Sequence, residues 1–359
     1  MNFDFSPEQA QLQNEARRFL EDRCPIAAVR AVLEGEAPFD RGLWTGLADM
    51  GFLGAAIPEE FGGLGLGYLE LCVIAEELGR ALAPAPVSSS IYLAAEFLLT
   101  AGDAAQKARW LPRLASGAAI GTFAWTDGKD AAVQAAGGRL TGAKLPVPDG
   151  AVADVAVVAA AGSLFLVELA QPGLTRATVQ TLDPTRNHAR LDFAGVEAEP
   201  LGAPGAGAAL TRQVLDKAAV LIAFEQVGGA HRALEMGRDQ ALERMAFGRQ
   251  IGSFQAIKHM LADMYVEATL ARSNAYYGAW ALSAGAAELP RAAAAARVSA
   301  TRAYQLCARN NIQVHGGMGF TWAVDCHLHY RRSNLLATTL GGLAHWEDLL
   351  VERLRAEAA

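Results

Sequence analysis

Arg244-Met245-Ala246-Phe247-Gly248-Arg249-Gln250-Ile251-Gly252-Ser253-Phe254-Gln255-Ala256-Ile257-Lys258 is the stretch on which the reading of this chain turns. A long helical pattern precedes it and ends around Phe247-Gly248, and Ser253 stands where it can cap the next helix. Arg244 and Arg249 flank the break. Such a junction can hold a diphosphate, because guanidinium forks pair with phosphate oxygens and a helix start offers free N–H groups. Phe247 is placed to lie against an aromatic ring. The same residues also fit a capped helix hairpin with solvated arginines.

Further along, Gln313-Val314-His315-Gly316-Gly317-Met318-Gly319-Phe320 closes another long helical pattern. Three glycines in four positions let backbone come close to a ligand, and a plain glycine helix cap reads from the same letters. The stretch follows a helix rather than a strand, which excludes a Rossmann loop. His315 has no second histidine at ligand spacing, so no metal site is expected. Gly62-Gly63-Leu64-Gly65-Leu66-Gly67 looks like a phosphate loop by eye. Pro58-Glu59-Glu60 precedes it instead of a strand, and no Lys-Ser/Thr pair follows, so it reads as a plain loop.

Around these motifs the pattern runs α, β, α. Ser6-Pro7-Glu8-Gln9 is a helix start with a capping box, and Leu12, Ala16, Phe19 and Leu20 share one helical face. Helical segments are expected over Leu43 to Leu53, Tyr68 to Leu82, Ile91 to Ala101 and Ala104 to Leu114. Short strands between turn signals follow: Ile120 to Trp125, Val152 to Val158, Leu164 to Leu169 and Ala189 to Phe193. Long helices return over Leu210 to Arg244, Ser253 to Gly285 and Pro290 to His315. The expected fold is α+β and mostly α: an N-terminal helical domain (1–117), a middle antiparallel β-domain (118–206) and a C-terminal four-helix bundle (207–359).

The chain is 52% hydrophobic and 19% charged with a net charge of -7, a balance suited to burying a large core. No block of Lys or Arg stands out, so nucleic acid is excluded as a partner. Cys24, Cys72, Cys307 and Cys326 show neither CxxC nor metal spacing and read as buried thiols in a reducing cytoplasm. Met1 to Phe5 carries no basic or apolar leader pattern. Ala151 to Ala170, the most apolar stretch, is interrupted by Asp154 and Gly162, so no membrane span is expected.

Taken together, these segments resemble the acyl-CoA dehydrogenase family over nearly the whole chain. Pro58-Glu59-Glu60-Phe61-Gly62-Gly63 with Glu76-Glu77-Leu78-Gly79-Arg80 is similar to its N-terminal signature. Arg244-x-x-Phe247-Gly248-Arg249-Gln250-Ile251 with Phe254-Gln255-Ala256 and Leu261-Ala262-Asp263-Met264, and Gln313-x-x-Gly316-Gly317-x-Gly319-Phe320, resemble two more. The resemblance implies FAD as cofactor, an acyl-CoA as substrate, an electron-transfer flavoprotein or similar acceptor, and a tetramer, either a homo-oligomer or a heterotetramer with a related subunit. It places Arg244 on the FAD diphosphate and Phe247 near the adenine. Gln313, Gly316 and Gly317 fall on diphosphate and ribose across a dimer interface, with Gln255 in the same helix-start region. Trp125 and Thr126, within Phe123-Ala124-Trp125-Thr126-Asp127, occupy the strand where the family carries a Thr-Glu pair beside the flavin ring. Pro146 and Pro148 depart from the aromatic residue and threonine of many relatives, and a proline offers no N–H.

The family reaction removes the α-proton of an acyl-CoA with a carboxylate while hydride leaves the β-carbon. The usual glutamate position corresponds to Leu340, before Gly341-Gly342, and the position used by another branch to Ala218. Neither is an acid, so the catalytic residue is unknown; Glu225, two helical turns beyond Ala218, is a candidate relocated base but reads first as a hydrogen-bonded, buried structural carboxylate. The run from Gly319 to His329 resembles a steroid- and lipid-degrading branch in which two related chains form an α2β2 heterotetramer, one supplying the base. The expected function is α,β-desaturation of an acyl-CoA, as a self-sufficient enzyme or as the base-lacking subunit of a heteromer. A reduced-flavin monooxygenase and a non-catalytic FAD-holding subunit are the alternatives on the same scaffold.

Overall fold

The computed structural model describes residues 6–129 and 132–358, so the reading of Met1 to Phe5 lies outside the described residues. Ser6 opens α1 (Pro7–Arg23): its hydroxyl accepts from the Gln9 N–H at 3.2 Å while the Gln9 side chain accepts from the Ser6 N–H at 3.0 Å. This is the capping box read in the sequence. There follow α2 (Ile26–Glu34), α3 (Arg41–Asp49) and α4 (Tyr68–Arg80). A π-helix over Ser88–Ala95 runs directly into α5 (Glu96–Ala101), and α6 (Ala104–Ala115) ends the helical third. Eight strands come next: β1 (Gly121–Ala124), β2 (Gln134–Ala136), β3 (Arg139–Pro148), β4 (Val155–Ala160), β5 (Ser163–Glu168), β6 (Leu174–Val179), β7 (His188–Glu197) and β8 (Glu199–Leu201). Then α7 (Gly207–Glu243), a ribbon of β9 (Met245–Ala246) and β10 (Arg249–Gln250), α8 (Gln255–Ser283), α9 (Leu289–His315), α10 (Cys326–Thr338) and α11 (Leu343–Ala358) complete the chain. Mostly helical, with small sheets in the middle, it has the fold class expected.

The described residues pack into two compact units that interleave along the chain. The first holds the residues up to Ala27, Tyr68–Ala83 and those from Ala219 onward; the second holds Ala28–Gly67 and Pro84–Ala218.

In the first unit α8, α10 and α11 all lie on α9, and α1 lies on α4. Alanines line the buried side of α9, among them Ala292, Ala293, Ala296, Ala300 and Ala303, so the helix axes approach closely. The crossing of α4 and α7 is closer still. A Cβ built on Gly79 would overlap the carbonyl of Glu225, and one on Gly228 would overlap the carbonyl of Glu76. Glycine at both positions is what lets the two backbones touch.

In the second unit two four-stranded sheets run β1-β4-β5-β8 and β2-β3-β7-β6. Their pairings are antiparallel except β1 with β4, which is parallel, since the chain passes through the other sheet between them. Pro146 falls in β3 where the register against β7 shifts between Lys144 and Val147, a bulge at which a missing N–H costs no ladder bond. The π-helix ties this unit together through three consecutive serines. Arg186 donates to Ser88 Oγ at 2.9 Å, Ser89 Oγ donates to Asp149 at 2.6 Å, and the Gly121 N–H donates to Ser90 Oγ at 3.0 Å.

All four cysteines are buried thiols outside any disulfide, and burial pushes the Cys307 and Cys326 thiols up to about 12. Among the described residues no helix is long and apolar enough to cross a membrane.

Candidate cofactor and active site

α7 ends at Glu243, and the chain doubles back through the β9–β10 ribbon. The break expected at Phe247-Gly248 therefore falls earlier. Phe247 (φ 53°) and Gly248 (φ 78°) instead form the two-residue turn of the ribbon, both in the left-handed region that suits a tight hairpin. The expected Ser253 cap is absent. The Ser253 hydroxyl donates to Gln250 O at 2.7 Å inside a short 3-10 turn, and Phe254 takes the N-cap position of α8 with no side-chain bond. The opening N–H groups of α8 thus have no side-chain acceptor at the cap.

The Phe247 ring is 94% exposed and meets the Phe254 ring edge-on at 6.1 Å, while the Arg249 guanidinium lies 4.1 Å from the Phe254 ring centre. Arg244 and Gln255 are exposed, and Arg244 makes no ion pair among the described residues. The segment offers an aromatic face and uncommitted donors to whatever approaches it.

At the end of α9 the Gly316 N–H donates to Gln313 O with φ 61°, so this glycine is a helix cap. Gly317 differs: it has no left-handed φ, and nothing lies within 4 Å of where its Cβ would stand. Neither strain nor packing inside the chain requires glycine there. Gln313 is exposed. Two residues before it, Asn311 donates to Met236 Sδ at 3.8 Å and faces Gly237 of α7, which also faces Leu261 of α8. The end of α7, the start of α8 and the end of α9 therefore gather at one end of the first unit. That brings Arg244, Phe247, Gln255, Gln313, Gly316 and Gly317 to the same end. Phe320 of the same motif, and Met318 and Trp322, which sequence reasoning did not single out, are exposed beside the glycines.

Trp125 and Thr126 belong to the second unit. They follow β1 and are held by β3: Lys144 Nζ donates to Trp125 O at 2.9 Å and to Asp127 Oδ1 at 2.6 Å, and the Leu145 N–H donates to Thr126 O at 2.9 Å. Lys144 is 1% exposed, and burial lowers its ammonium below the usual range while Asp127 opposes that shift. Thr126 itself is exposed.

The positions where the resemblance puts a base hold apolar side chains. Ala218 is fully buried. Leu340 adopts φ 61°, and the Trp346 indole donates to its carbonyl at 3.1 Å. Glu347, the nearest acid beyond Leu340, is paired with Arg302 at 2.6 Å. Glu225 is fully buried at the crossing with α4.

A second polar cluster lies between α1, α4, α7 and α8. Arg17 donates twice to Glu77 (2.9 and 2.7 Å) and Arg80 twice to Glu235 (2.8 and 2.5 Å). Burial pushes the Glu76 carboxyl up to about 7, although Arg272 draws it down from 3.5 Å. Burial pushes His231 down to about 4, and His329, hydrogen-bonded to Tyr304 at 3.0 Å, down to about 3. Arg297 is buried without a carboxylate partner among the described residues. It is held by Gln226, Thr301 and the carbonyls of Leu336 and Thr339, and burial lowers it to about 9.

Comparison with known proteins fits this geometry. Residues 6–118 match the acyl-CoA dehydrogenase N-terminal domain and residues 205–347 its C-terminal domain. Acyl-CoA dehydrogenase IpdE2 of Mycobacterium tuberculosis (strain ATCC 25618 / H37Rv) is 36% identical over 332 residues, covering 91% of this chain and 92% of that protein. A variant of the Tcur3481-Tcur3483 steroid acyl-CoA dehydrogenase superposes with a TM-score of 0.89 at 32% identity, covering 98% of both chains. The ChsE4-ChsE5 complex from Mycobacterium tuberculosis gives 0.91 at 27% identity, covering 99% of both. The chain belongs to the acyl-CoA dehydrogenase family of flavoproteins, oxidoreductases acting on the CH–CH bond of an acyl-CoA.

Proposed function

We propose that this chain is an FAD-binding acyl-CoA dehydrogenase subunit that works with a related, base-bearing chain on a bulky acyl-CoA. One observation carries the reading: the family's cofactor motifs are present as exposed, uncommitted side chains, while both base positions, Leu340 and Ala218, are apolar. FAD would supply the two-electron acceptor. Arg244 would pair with its diphosphate, Phe247 would lie at the adenine end, and Gln255 would border the same helix start. The bare backbone at Gly317, where no neighbour of the chain fills the Cβ space, suits close approach of the cofactor, with Gln313 and Gly316 beside it. Trp125 and Thr126, anchored through Lys144, would border the flavin ring. In this reading residues 1–117, 118–206 and 207–359 act as N-terminal helical, middle β and C-terminal helical domains.

The complete burial of Glu225 favours a base from another chain over a relocated one. The steroid enzyme and the two-chain complex named among similar structures support both the bulky acyl group and the unlike partner. An electron-transfer flavoprotein is the proposed acceptor, a tetramer the proposed assembly and the cytoplasm the proposed location.

The test is an anaerobic titration of the purified chain, alone and with a co-expressed related chain, with several acyl-CoAs while flavin absorbance is followed. Bleaching only with the partner present is expected. Full turnover by the chain alone would overturn the paired reading, and its loss in Glu225→Gln would then identify the base.

A further inference from the structure

Successive residues of a strand point to opposite faces, yet on β3 both Ala143 and Lys144 are buried. Lys144 is 1% exposed. The segment after β1 accounts for this. β7 takes one edge of β3, and the segment lies along the other, where Asp127 bridges to Lys144 ahead of the β2 pairing. The Gly128 N–H donates to Ala143 O and the Leu145 N–H to Thr126 O, both at 2.9 Å.

An ammonium in such a place is costly. One carboxylate balances it, Asp127 at 2.6 Å, whose side chain is 45% exposed. A methionine would fill the same space with no charge to desolvate. A methionine could not donate, however, and Nζ donates to the Trp125 carbonyl at 2.9 Å, one residue past the main-chain bonds. A trans peptide is planar, with its C=O and N–H on opposite sides. Holding the Trp125 carbonyl therefore points the Thr126 N–H away from the ammonium. Leu145 holds the next carbonyl, that of Thr126. The peptide groups on both sides of Thr126 are thus fixed, while its side chain is exposed.

We propose that Lys144 is a positioning residue for the flavin: its buried ammonium fixes the peptide between Trp125 and Thr126, so that Thr126 meets the cofactor in one orientation. This rests on the proposed place of Trp125 and Thr126 beside the flavin ring. Lys144 acts through them and touches neither cofactor nor substrate. Holding FAD in place falls to the Arg244 and Gly317 motifs, so losing Lys144 changes the surroundings of the flavin rather than its occupancy. Reduction makes a flavin more electron-rich, and a fixed donor beside it favours that form.

The experiment uses the chain assembled with its co-expressed related chain. Three quantities are read: flavin per chain, visible circular dichroism of the flavin, and the reduced-to-oxidised ratio at the wild-type midpoint potential. Lys144→Met is expected to keep its flavin, to alter the dichroism and to lower the ratio roughly fivefold, the worth of about one hydrogen bond. Asp127→Asn keeps an acceptor for the Val133 N–H (3.1 Å) but weakens the hold on Nζ, so it moves both readouts the same way by less. Arg176→Met is the control. It removes donors to the Ala153 and Leu169 carbonyls (2.7 and 2.6 Å) in the same unit, and should lower the melting midpoint while leaving the flavin readouts unmoved. Flavin-loaded Lys144→Met with wild-type dichroism and ratio overturns the inference and leaves the proposed function standing. Equal shifts in Arg176→Met also overturn it, since Lys144 would then only support the fold. Should Lys144→Met not fold, an unmoved ratio in Asp127→Asn decides against it. A wild-type assembly without FAD overturns the proposed function itself, and this inference with it.

Discussion

The α-carbon of Gly228 faces the carbonyl oxygen of Glu76 so closely that a methyl group on Gly228 would overlap it. The obstacle is backbone, which cannot rotate aside as a side chain would. Gly228→Ala forces α7 away from α4, an overpacking that costs about 1–3 kcal/mol or more. Its melting midpoint is expected several degrees below that of the wild type. An unchanged midpoint in a thermal melt would show that the two helices do not meet there.

Arg17 and Glu77 form a lopsided pair: the Arg17 side chain is 38% exposed and the Glu77 side chain 1%. Removing Glu77 frees a guanidinium that water can reach. Removing Arg17 strands a buried carboxylate. Arg17→Met should therefore destabilise more than Glu77→Gln, with the first near the roughly 3–5 kcal/mol cost of an uncompensated buried charge. Denaturant titration of both variants gives the order, and the reverse order contradicts the pairing.

His231 and His329 are held neutral in the fold, at about 4 and about 3, against the ordinary value of 6.5. The unfolded chain takes up these protons first as pH falls. Their contribution is therefore complete above pH 6.5 and is lost progressively between there and about 4 for His231, and to about 3 for His329. For His231 the loss amounts to about 3 kcal/mol. His231→Asn should flatten the acid limb of a stability-versus-pH curve, and an equally steep limb would show that His231 is not its source.

Gly317 and Arg244 separate binding from folding. Alanine at Gly317 meets no neighbour and no backbone penalty, so stability should stay within about 0.5 kcal/mol. If the bare backbone serves the cofactor, the same variant loses bound flavin, measured as flavin per protein chain in the assembled enzyme. Arg244→Ala should lose flavin in the same way, since its guanidinium carries no ion pair among the described residues. Full flavin content in both would remove these residues from the site.

What could be read in the letters and what could not divides along physical lines. Local signals held: the Ser6–Gln9 capping box is in place, and long helices follow the apolar periodicity. α10 was not legible because the face it buries carries His329, Arg332 and Ser333, polar residues that break any hydrophobic period. The parallel pairing of β1 with β4 depends on which strands meet in space, which no local pattern encodes. Ser253 has the right chemistry for a cap, but the 3-10 turn aims its hydroxyl at Gln250 O instead. The cofactor motifs were legible as letters. The reading of Glu225 as a buried carboxylate and of the arginines as solvated agrees with the burial of the one and the exposure of the others.

The π-helix over Ser88–Ala95 makes chain length a variable in its own right. Removing one residue from it would restore ordinary α-helical winding and turn every later side chain by about 100° relative to those before. Ser88, Ser89 and Ser90 could then no longer all reach Arg186, Asp149 and Gly121 at once. At this segment the loss of one residue would be felt by three separate parts of the sheet region together.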